Sequence, residues 1–223
     1  MSKHTGKVWI SDIDVQGFCE YKIYLKYVLG LPDPGGVALE DGRAVHKALE
    51  LASQLNAQSA MRKRIAVGLN VPTTIKEMVD VARNEGESWP VREVHVEGER
   101  IVGMIDQIDF TPEKIYIIED KSPSKNGKPF FGQIRQVQGY CLAFSEQHPE
   151  IDLPLVAVIR DKYSRKDMWV KPFTQDDIPG VNEAIDRIIG IIDGTWIPVP
   201  SISEVKHSVC SWNSVCDKSH YRG

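Results

Sequence analysis

The chain has 223 residues, of which 42% are hydrophobic and 26% charged, and its formal net charge is −4. This length supports one domain with a substantial core, and the composition is typical of a soluble globular protein. No apolar stretch approaches a membrane span, and the N-terminus lacks a signal-peptide core, so we expect a cytoplasmic protein with no membrane partner. The slightly negative charge also argues against a protein that coats nucleic acid passively.

The first third of the chain is predicted to be helical. Ser11 has the character of an N-cap for a helix that runs toward Gly30, and apolar spacing predicts two more helices at about 39–53 and 74–84. β-branched residues flank a turn at Glu97-Gly98-Glu99, which predicts a hairpin that starts near Val94.

The rest of the chain alternates between strand and helix signals. The hairpin continues to Phe110. The further predicted elements are a strand at 114–121, a helix at 132–146, a buried strand at 155–159, a hairpin turn near Ser164 and a helix at 174–194. The last helix carries one apolar stripe, formed by Ile178, Val181, Ile185, Ile188 and Ile192. This order predicts a mixed α/β domain.

An acidic pattern with a lysine is the sharpest chemical signal. Asp106 ends a Gly-x-x-Asp motif in the predicted hairpin, and the next strand ends in Glu119-Asp120-Lys121. Alternation along a strand places the Glu119 and Lys121 side chains on one face and that of Asp120 on the other. With Asp106 beside Glu119, two carboxylates would bind Mg²⁺ or Mn²⁺, and the Asp120 carbonyl offers another oxygen. The alternative is a solvated strand end with a charge pair.

Two helical patterns could complete this site. His46 follows Gly42 by one helical turn, which leaves room for a ligand to approach the imidazole. Gln136 and Tyr140 share one face of the helix at 132–146 and present an amide and a phenol. Taken singly, His46 is more often an exposed or hydrogen-bonded histidine, and the second pair fits an amphipathic helix with a buried tyrosine.

The order of these motifs resembles that of RecB-type nucleases of the PD-(D/E)XK superfamily, most closely the CRISPR-associated RecB-like exonucleases with an iron–sulfur cluster. The resemblance runs from Cys19 to Cys216 and implies a restriction-endonuclease-like core, a mixed sheet flanked by helices. The resemblance assigns three metal ligands, His46, Asp106 and Glu119. It further implies that Lys121 is the catalytic lysine and that Gln136 and Tyr140 support the site.

The cysteines suggest a second centre. In a reducing cytosol they are expected to be metal ligands or buried thiols. The family that the chain resembles holds its cluster with one cysteine after the first helix, here Cys19, and three near the C-terminus, here matched by His207, Cys210 and Cys216. His207 stands where that pattern has a cysteine, and Cys141 is expected to be a buried small hydrophobe.

The resemblance therefore implies one domain over residues 1–223, in which a clasp joins the helix at about 11–30 to a tail at about 195–223. The family resemblance favours a 4Fe–4S cluster there, and histidine can replace cysteine in some clusters, whereas the ligand set alone leans toward zinc. A 2Fe–2S cluster stays open, and so does zinc, since three cysteines and a histidine are a good tetrahedral set.

Two basic segments are candidates for binding nucleic acid. Lys125, Lys128 and Arg135 follow the catalytic motif and are interrupted by Phe130 and Phe131, a combination that suits a single strand. The alternative is a loop whose phenylalanines pack into the core. A second cluster, formed by Arg160, Lys162, Arg165 and Lys166, is interpreted as a solvated hairpin tip.

The sequence thus favours a metal-dependent exonuclease that acts on single-stranded DNA ends. The resemblance implies work in CRISPR spacer acquisition beside the integrase proteins of that system. Alternatives are a stand-alone repair or phage-type nuclease and a non-catalytic, metal-stapled DNA-binding scaffold. Cleavage polarity, the preferred metal and whether the chain forms a homo-oligomer stay open.

Overall fold

The computed structural model describes residues 6–35, 37–124 and 126–217, with the backbone alone for 37–43. This part of the chain contains seven α-helices and six strands. The helices are α1 (Ser11–Phe18), α2 (Glu20–Ile23), α3 (Val37–Ala66), α4 (Ile75–Glu85), α5 (Phe131–Gln147), α6 (Ile178–Ile192) and α7 (Glu204–Ser208). The strands are β1 (Val8–Trp9), β2 (Trp89–Glu97), β3 (Ile101–Phe110), β4 (Ile115–Lys121), β5 (Leu155–Asp161) and β6 (Asp167–Pro172).

All six strands belong to one mixed sheet. The hairpin partner β2 pairs antiparallel with β3 along one edge, so β1 and β4 must share the other edge. There β1 pairs with Ile101 and Val102, whereas β4 pairs from Gln107 onward. Residues 103–106 of β3 therefore have no partner strand on this edge in the described structure, and the sheet opens at that point.

The second half of the sheet is a crossover unit. Strands β4 and β5 are parallel and joined through α5, while β6 returns antiparallel to β5. Because parallel neighbours cannot be joined by a tight turn, the connecting helix is long enough to cover one face of the sheet. The main core lies between this face and the helices, and its largest fully buried side chains include Phe110, Phe144, Ile10, Ile13 and Ile117.

The predicted mixed α/β fold is confirmed: a six-stranded mixed sheet is flanked by helices. Most predicted elements are present, and Val181, Ile185 and Ile188 of the apolar stripe on α6 are buried as expected. Helix α4 begins with a capping box, in which the Thr74 hydroxyl accepts from the Glu77 N–H and the Glu77 carboxylate accepts from the Thr74 N–H.

The start of the chain differs from the prediction. Ser11 is not the N-cap of the first helix, because Ile10 precedes the helix with a helical backbone and no side chain caps it. The Ile10 N–H instead donates to the Val102 carbonyl and so continues the β1–β3 pairing into the helix. The predicted single helix is also divided, since Cys19 is extended (φ −165°) between α1 and α2.

Helix α3 is longer than the predicted 39–53 segment. Its second half, 54–66, is rich in Ala, Gln, Lys and Arg, which are good helix formers. Arg64 near its C-terminus forms a two-pronged ion pair with Glu85 of α4. In the described part of the chain, α3 and every other helix lack the combination of length and apolar character needed to cross a membrane.

Candidate active site

Three potential metal ligands from three different elements converge where the sheet opens. His46 comes from α3, Glu93 from β2 and Asp106 from β3, and each offers a ligand atom within 4.8 Å of the other two. The His46 Nδ1 lies 3.5 Å from the Asp106 Oδ1. The structure thus brings together two of the predicted metal ligands and adds Glu93, which the sequence reasoning missed.

The observed register of the β2–β3 hairpin explains how Glu93 joins this group. In the β2–β3 hairpin, Arg92 pairs with Gln107 and Val94 with Ile105, which places Glu93 opposite Asp106. Counting outward from the predicted turn centred on Gly98 would instead pair Glu93 with Gly103, so the sequence alone does not reveal this neighbour. The Glu93 backbone has φ +52°, a left-handed conformation that is uncommon for a residue with a side chain and often marks a functional site.

Glu119 lies beside this group on β4 and is held by α5. The Gln136 Nε2 donates to the Glu119 Oε1 over 2.9 Å and lies 3.3 Å from the Tyr140 hydroxyl. The other oxygen, Oε2, is buried without a hydrogen-bond partner in the described structure. A buried carboxylate oxygen without a hydrogen-bond partner would be stabilised by coordinating a cation, so these residues fit a divalent metal ion.

Lys121 is fixed between two carboxylates. Its Nζ lies 3.1 Å from the Glu119 Oε1, as the predicted common face requires, and 3.2 Å from the Asp14 Oδ2. Asp14 belongs to α1, far away in sequence, and was not predicted. Burial alone would lower the pKa of Lys121, but the Glu119 and Asp14 carboxylates outweigh it and raise the pKa, which keeps the ammonium charged.

Asp120 has a different environment from its neighbours. Its side chain points to the opposite face of the sheet, where Arg92 and Arg165 bind it, so its carboxylate does not serve the metal group. Its backbone N–H donates to the Asp106 Oδ2 over 2.7 Å. Metal binding by the Asp120 carbonyl stays a prediction.

The buried carboxylates carry raised pKa values. Burial raises the pKa of Asp106, and it also raises that of Glu119, which the charge of Asp106 raises further. Burial likewise raises the pKa of Glu93. Acidic groups that resist ionisation together become stable anions once a cation is shared among them, so the electrostatics agree with the ligand geometry.

The predicted DNA-binding segment is only partly available to a ligand. Lys128 is exposed, and Lys125 lies outside the described residues. Arg135 lies 4.9 Å from the centre of the Phe131 ring and donates to Gln138, so its guanidinium is partly engaged within the fold. The phenylalanines are 60% (Phe130) and 67% (Phe131) exposed, so the alternative that they pack into the core is wrong.

The second basic cluster is not simply a solvated hairpin tip. Arg160 is paired with Asp167 near the turn between β5 and β6. Lys162 is buried, however, and its N–H donates to the Lys121 carbonyl. Arg165 reaches Asp120, so this turn packs against the end of β4. The interpretation as a solvated tip is therefore wrong for Lys162 and Arg165.

The four predicted cluster ligands line one cavity. They are Cys19, His207, Cys210 and Cys216. The Cys19 Sγ accepts from the Ser201 N–H over 3.3 Å. Trp212 is buried against Tyr21 and Leu25 beside them, and no disulfide joins the described cysteines. Cys141 is fully buried in α5, as expected.

Comparison with known proteins places the chain in a family. A family model described as the PD-(D/E)XK nuclease superfamily matches residues 10–217. No curated protein sequence matches the chain.

Several solved structures are similar. SSO0001 is 14% identical, with 97% of this chain and 89% of that chain covered and a TM-score of 0.45. A protein from Eubacterium rectale named as an exonuclease is 12% identical, with 92% and 88% covered and a TM-score of 0.47. The alkaline exonuclease of Laribacter hongkongensis is 13% identical, with 85% and 89% covered and a TM-score of 0.35.

Proposed function

The chain belongs to the PD-(D/E)XK nuclease superfamily, and from this premise we propose that it is a metal-dependent DNA exonuclease that acts on single-stranded ends. The observation that carries the proposal is the convergence of the His46, Glu93 and Asp106 ligand atoms within 4.8 Å of one another. This group lies next to the ion pair between buried Glu119 and partly buried Lys121, so acidic ligands and a fixed cationic side chain occupy one site.

The proposed metal ligands are His46, Asp106 and Glu119, joined by Glu93 and the Asp120 carbonyl. A bound Mn²⁺ or Mg²⁺ would supply polarisation of the phosphodiester and activation of water. Lys121 is held 3.1 Å from Glu119, where its ammonium offsets negative charge that develops on the reacting phosphate. Gln136 fixes the Glu119 side chain by its 2.9 Å hydrogen bond.

Tyr140 supports this arrangement from α5. Its hydroxyl lies 3.3 Å from the Gln136 amide nitrogen, and its ring packs against Gly103 at the opening of the sheet. A Cβ at Gly103 would lie 2.9 Å from the Tyr140 ring, so glycine is what allows this approach.

A single strand is the proposed substrate because exposed aromatic rings stand beside basic side chains. Phe130 and Phe131 are available for base stacking, and Lys128 is exposed next to them in sequence. Stacking and charge neutralisation bind single strands without reading their sequence. Lys125 and Arg135 belong to the same proposed track, with Arg135 partly committed to contacts within the fold.

We also propose that the clasp holds a 4Fe–4S cluster, with a 2Fe–2S cluster or zinc as alternatives. Four side chains from both ends of the chain line one cavity, which supports a shared ligand. Iron, sulfide and zinc analysis of anaerobically purified protein, together with its visible spectrum, separates the three. One zinc per chain without colour would exclude the cluster.

The proposed pathway is CRISPR spacer acquisition beside the integrase proteins, with stand-alone repair or phage-type nuclease work as the alternative. This step rests on the motif order and on the cysteines. Co-purification with CRISPR integrase proteins tests it, and a failure of the purified proteins to associate would favour the stand-alone alternative.

The deciding experiment is digestion of end-labelled single-stranded DNA with Mn²⁺, Mg²⁺ or chelator. We expect metal-dependent shortening that Glu119→Ala abolishes and that Glu113→Ala, in an exposed turn, preserves. If folded, metal-loaded wild type leaves the DNA intact, the non-catalytic DNA-binding scaffold is the better explanation.

A further inference from the structure

A buried ion network lies directly behind the candidate metal site. Asp120 stands between Glu119 and Lys121 on β4, but its side chain points to the other face and is 0% exposed. The Asp120 carboxylate accepts from the Arg92 Nη2 over 2.6 Å and from the Arg165 Nη1 over 2.7 Å. Two guanidiniums therefore bind one carboxylate away from water.

Gln107 closes this network. Its Oε1 accepts from the Arg92 Nη1 over 2.7 Å and from the Arg165 Nη2 over 3.2 Å. Its Nε2 donates to the Asp109 Oδ1 over 2.6 Å, so the amide orientation is fixed by both ends. The side chain of Arg92 is only 5% exposed, whereas that of Arg165 is 32% exposed.

Each strand that contributes to the network also contributes a residue to the metal site. Arg92 precedes Glu93 on β2, Gln107 follows Asp106 on β3, and Asp120 follows Glu119 on β4. Successive side chains of a strand leave opposite faces, so a contact that fixes one residue on the rear also fixes its neighbour on the front. The Asp120 N–H adds a direct link, because it donates to Asp106 over 2.7 Å.

Arg165 is the one member of the network from outside these strands. It lies in the turn between β5 and β6 with φ +59°, a backbone conformation that is costly for arginine and needs compensating contacts. In the same turn, the backbone N–H of Lys162 donates to the Lys121 carbonyl. The turn thus holds the end of β4 both through its backbone and through Asp120.

We propose that Arg92, Asp120 and Arg165 are positioning residues that set the affinity of the metal site by fixing β2 and β4 around it. The inference rests on the proposed function in so far as that function requires a metal ion there. Groups that orient metal ligands from behind typically contribute about 10–100-fold to metal affinity. A purely structural ion network would affect folding stability without this effect.

Arg165→Ala is the test, because Arg165 is partly exposed and its loss leaves the Arg92–Asp120 pair in place. We expect Mn²⁺ affinity, measured by electron paramagnetic resonance on DNA-free protein, to fall at least about tenfold. Saturating Mn²⁺ should restore cleavage, with an unchanged KM for DNA. Arg160→Ala is the matched control, since Arg160 in the same hairpin pairs with Asp167.

Arg165→Lys guards against a misfolded alanine variant. Lysine keeps the charge but cannot bind Asp120 and Gln107 together, so an intermediate Mn²⁺ affinity is expected. Unchanged Mn²⁺ affinity in both variants overturns the inference, as does a raised KM for DNA without a change in affinity, which would make Arg165 a DNA contact. Wild type that binds Mn²⁺ but does not cleave DNA refutes the proposed function alone, whereas wild type that binds no Mn²⁺ overturns both.

Discussion

Glu93 combines an unfavourable backbone with a useful side chain. Its φ of +52° costs about 1–2 kcal/mol for a residue other than glycine. Its carboxylate lies close to the ligand atoms of His46 and Asp106. Without a metal ion, another negative charge at this position does not stabilise the folded protein. Strain of this kind persists when the surrounding fold imposes it, and here it directs a third ligand at the metal position.

Substitution of Glu93 should separate these two effects. Glu93→Gly and Glu93→Ala both remove the carboxylate, so we expect each to weaken Mn²⁺ binding by about tenfold or more. Glycine alone also accepts the left-handed backbone, so Glu93→Gly should be more stable than Glu93→Ala by about 1 kcal/mol. Mn²⁺ titration and urea unfolding in chelator measure the two effects. Equal stabilities would contradict the strain argument, and unchanged Mn²⁺ affinity would remove Glu93 from the ligand set.

The buried carboxylates give metal-free protein a defined pH dependence. Burial raises the pKa of Asp106 from 3.8 to about 7 and that of Glu119 from 4.5 to about 8. At pH values between the ordinary and the raised pKa of each group, the folded state binds more protons than the unfolded state. The free energy of unfolding should therefore fall as pH rises from about 4 to about 8. Metal binding displaces the same protons, and Mn²⁺ affinity should therefore increase with pH.

Glu119→Gln tests this linkage. The amide cannot ionise, so in chelator the variant should be more stable than wild type at pH 8 by about 1 kcal/mol or more, with a difference that shrinks toward pH 5. The same variant should not cleave DNA. Urea unfolding at several pH values provides the measurement, and Glu113→Gln in an exposed turn serves as control. Parallel stability profiles for Glu119→Gln and wild type would refute the linkage.

Two helices cross near the site through glycines. A Cβ added at Gly17 of α1 would lie 2.8 Å from the Gly132 Cα of α5, so the two backbones touch. This close approach sets the position of α1, and Asp14 on that helix lies 3.2 Å from the Lys121 Nζ. The crossing therefore decides whether Lys121 has its second carboxylate partner.

Gly17→Ala should lower both stability and activity. The new methyl group meets backbone, which cannot rotate away, and overpacking of this kind typically costs about 1–3 kcal/mol. Gly180→Ala is the control for stability alone, because the atoms nearest its Cβ would belong to the Arg135 guanidinium, a side-chain end that can move, and alanine favours the helix. Thermal unfolding and the cleavage rate report the results. A Gly17→Ala protein as stable as Gly180→Ala would show that the helices can separate without consequence.

The sequence predicts those parts of the site that depend on local periodicity. Strand alternation places Glu119 and Lys121 on one face, and the helical repeat pairs Gln136 with Tyr140. It does not predict Glu93, because the partner across a hairpin depends on the register of the turn. Nor does it predict Asp14, whose approach to Lys121 depends on a helix crossing between segments distant in the chain.

At the scale of the whole molecule, the C-terminal tail is fastened to the first helices. Arg187 of α6 binds the Glu20 carboxylate at 2.6 Å, and the Val199 N–H donates to the same group over 2.9 Å. The Lys206 Nζ donates to the Phe18 carbonyl over 2.7 Å. Trp212 is buried to 2% exposure within the small cluster around Tyr21.

The proposed cluster should stabilise this attachment more than it supports catalysis. Cys210→Ser should remove the visible absorbance and lower the stability of the chain, because ligands almost two hundred residues apart close a long loop. Mn²⁺-dependent cleavage at low temperature should survive, since the Gly17–Gly132 contact and the Asp14–Lys121 pair hold α1 independently of the tail.

Cys141→Ser separates colour from stability in this experiment. It places a hydroxyl in the buried α5 position and should destabilise the chain while the cluster content per folded molecule stays unchanged. Limited proteolysis should cut the tail in Cys210→Ser but not in Cys141→Ser, because only the first variant loses a ligand of the clasp. Full colour in Cys210→Ser would exclude Cys210 as a ligand. Loss of cleavage together with colour, in protein whose sheet remains folded, would show that the clasp controls the active site through α1.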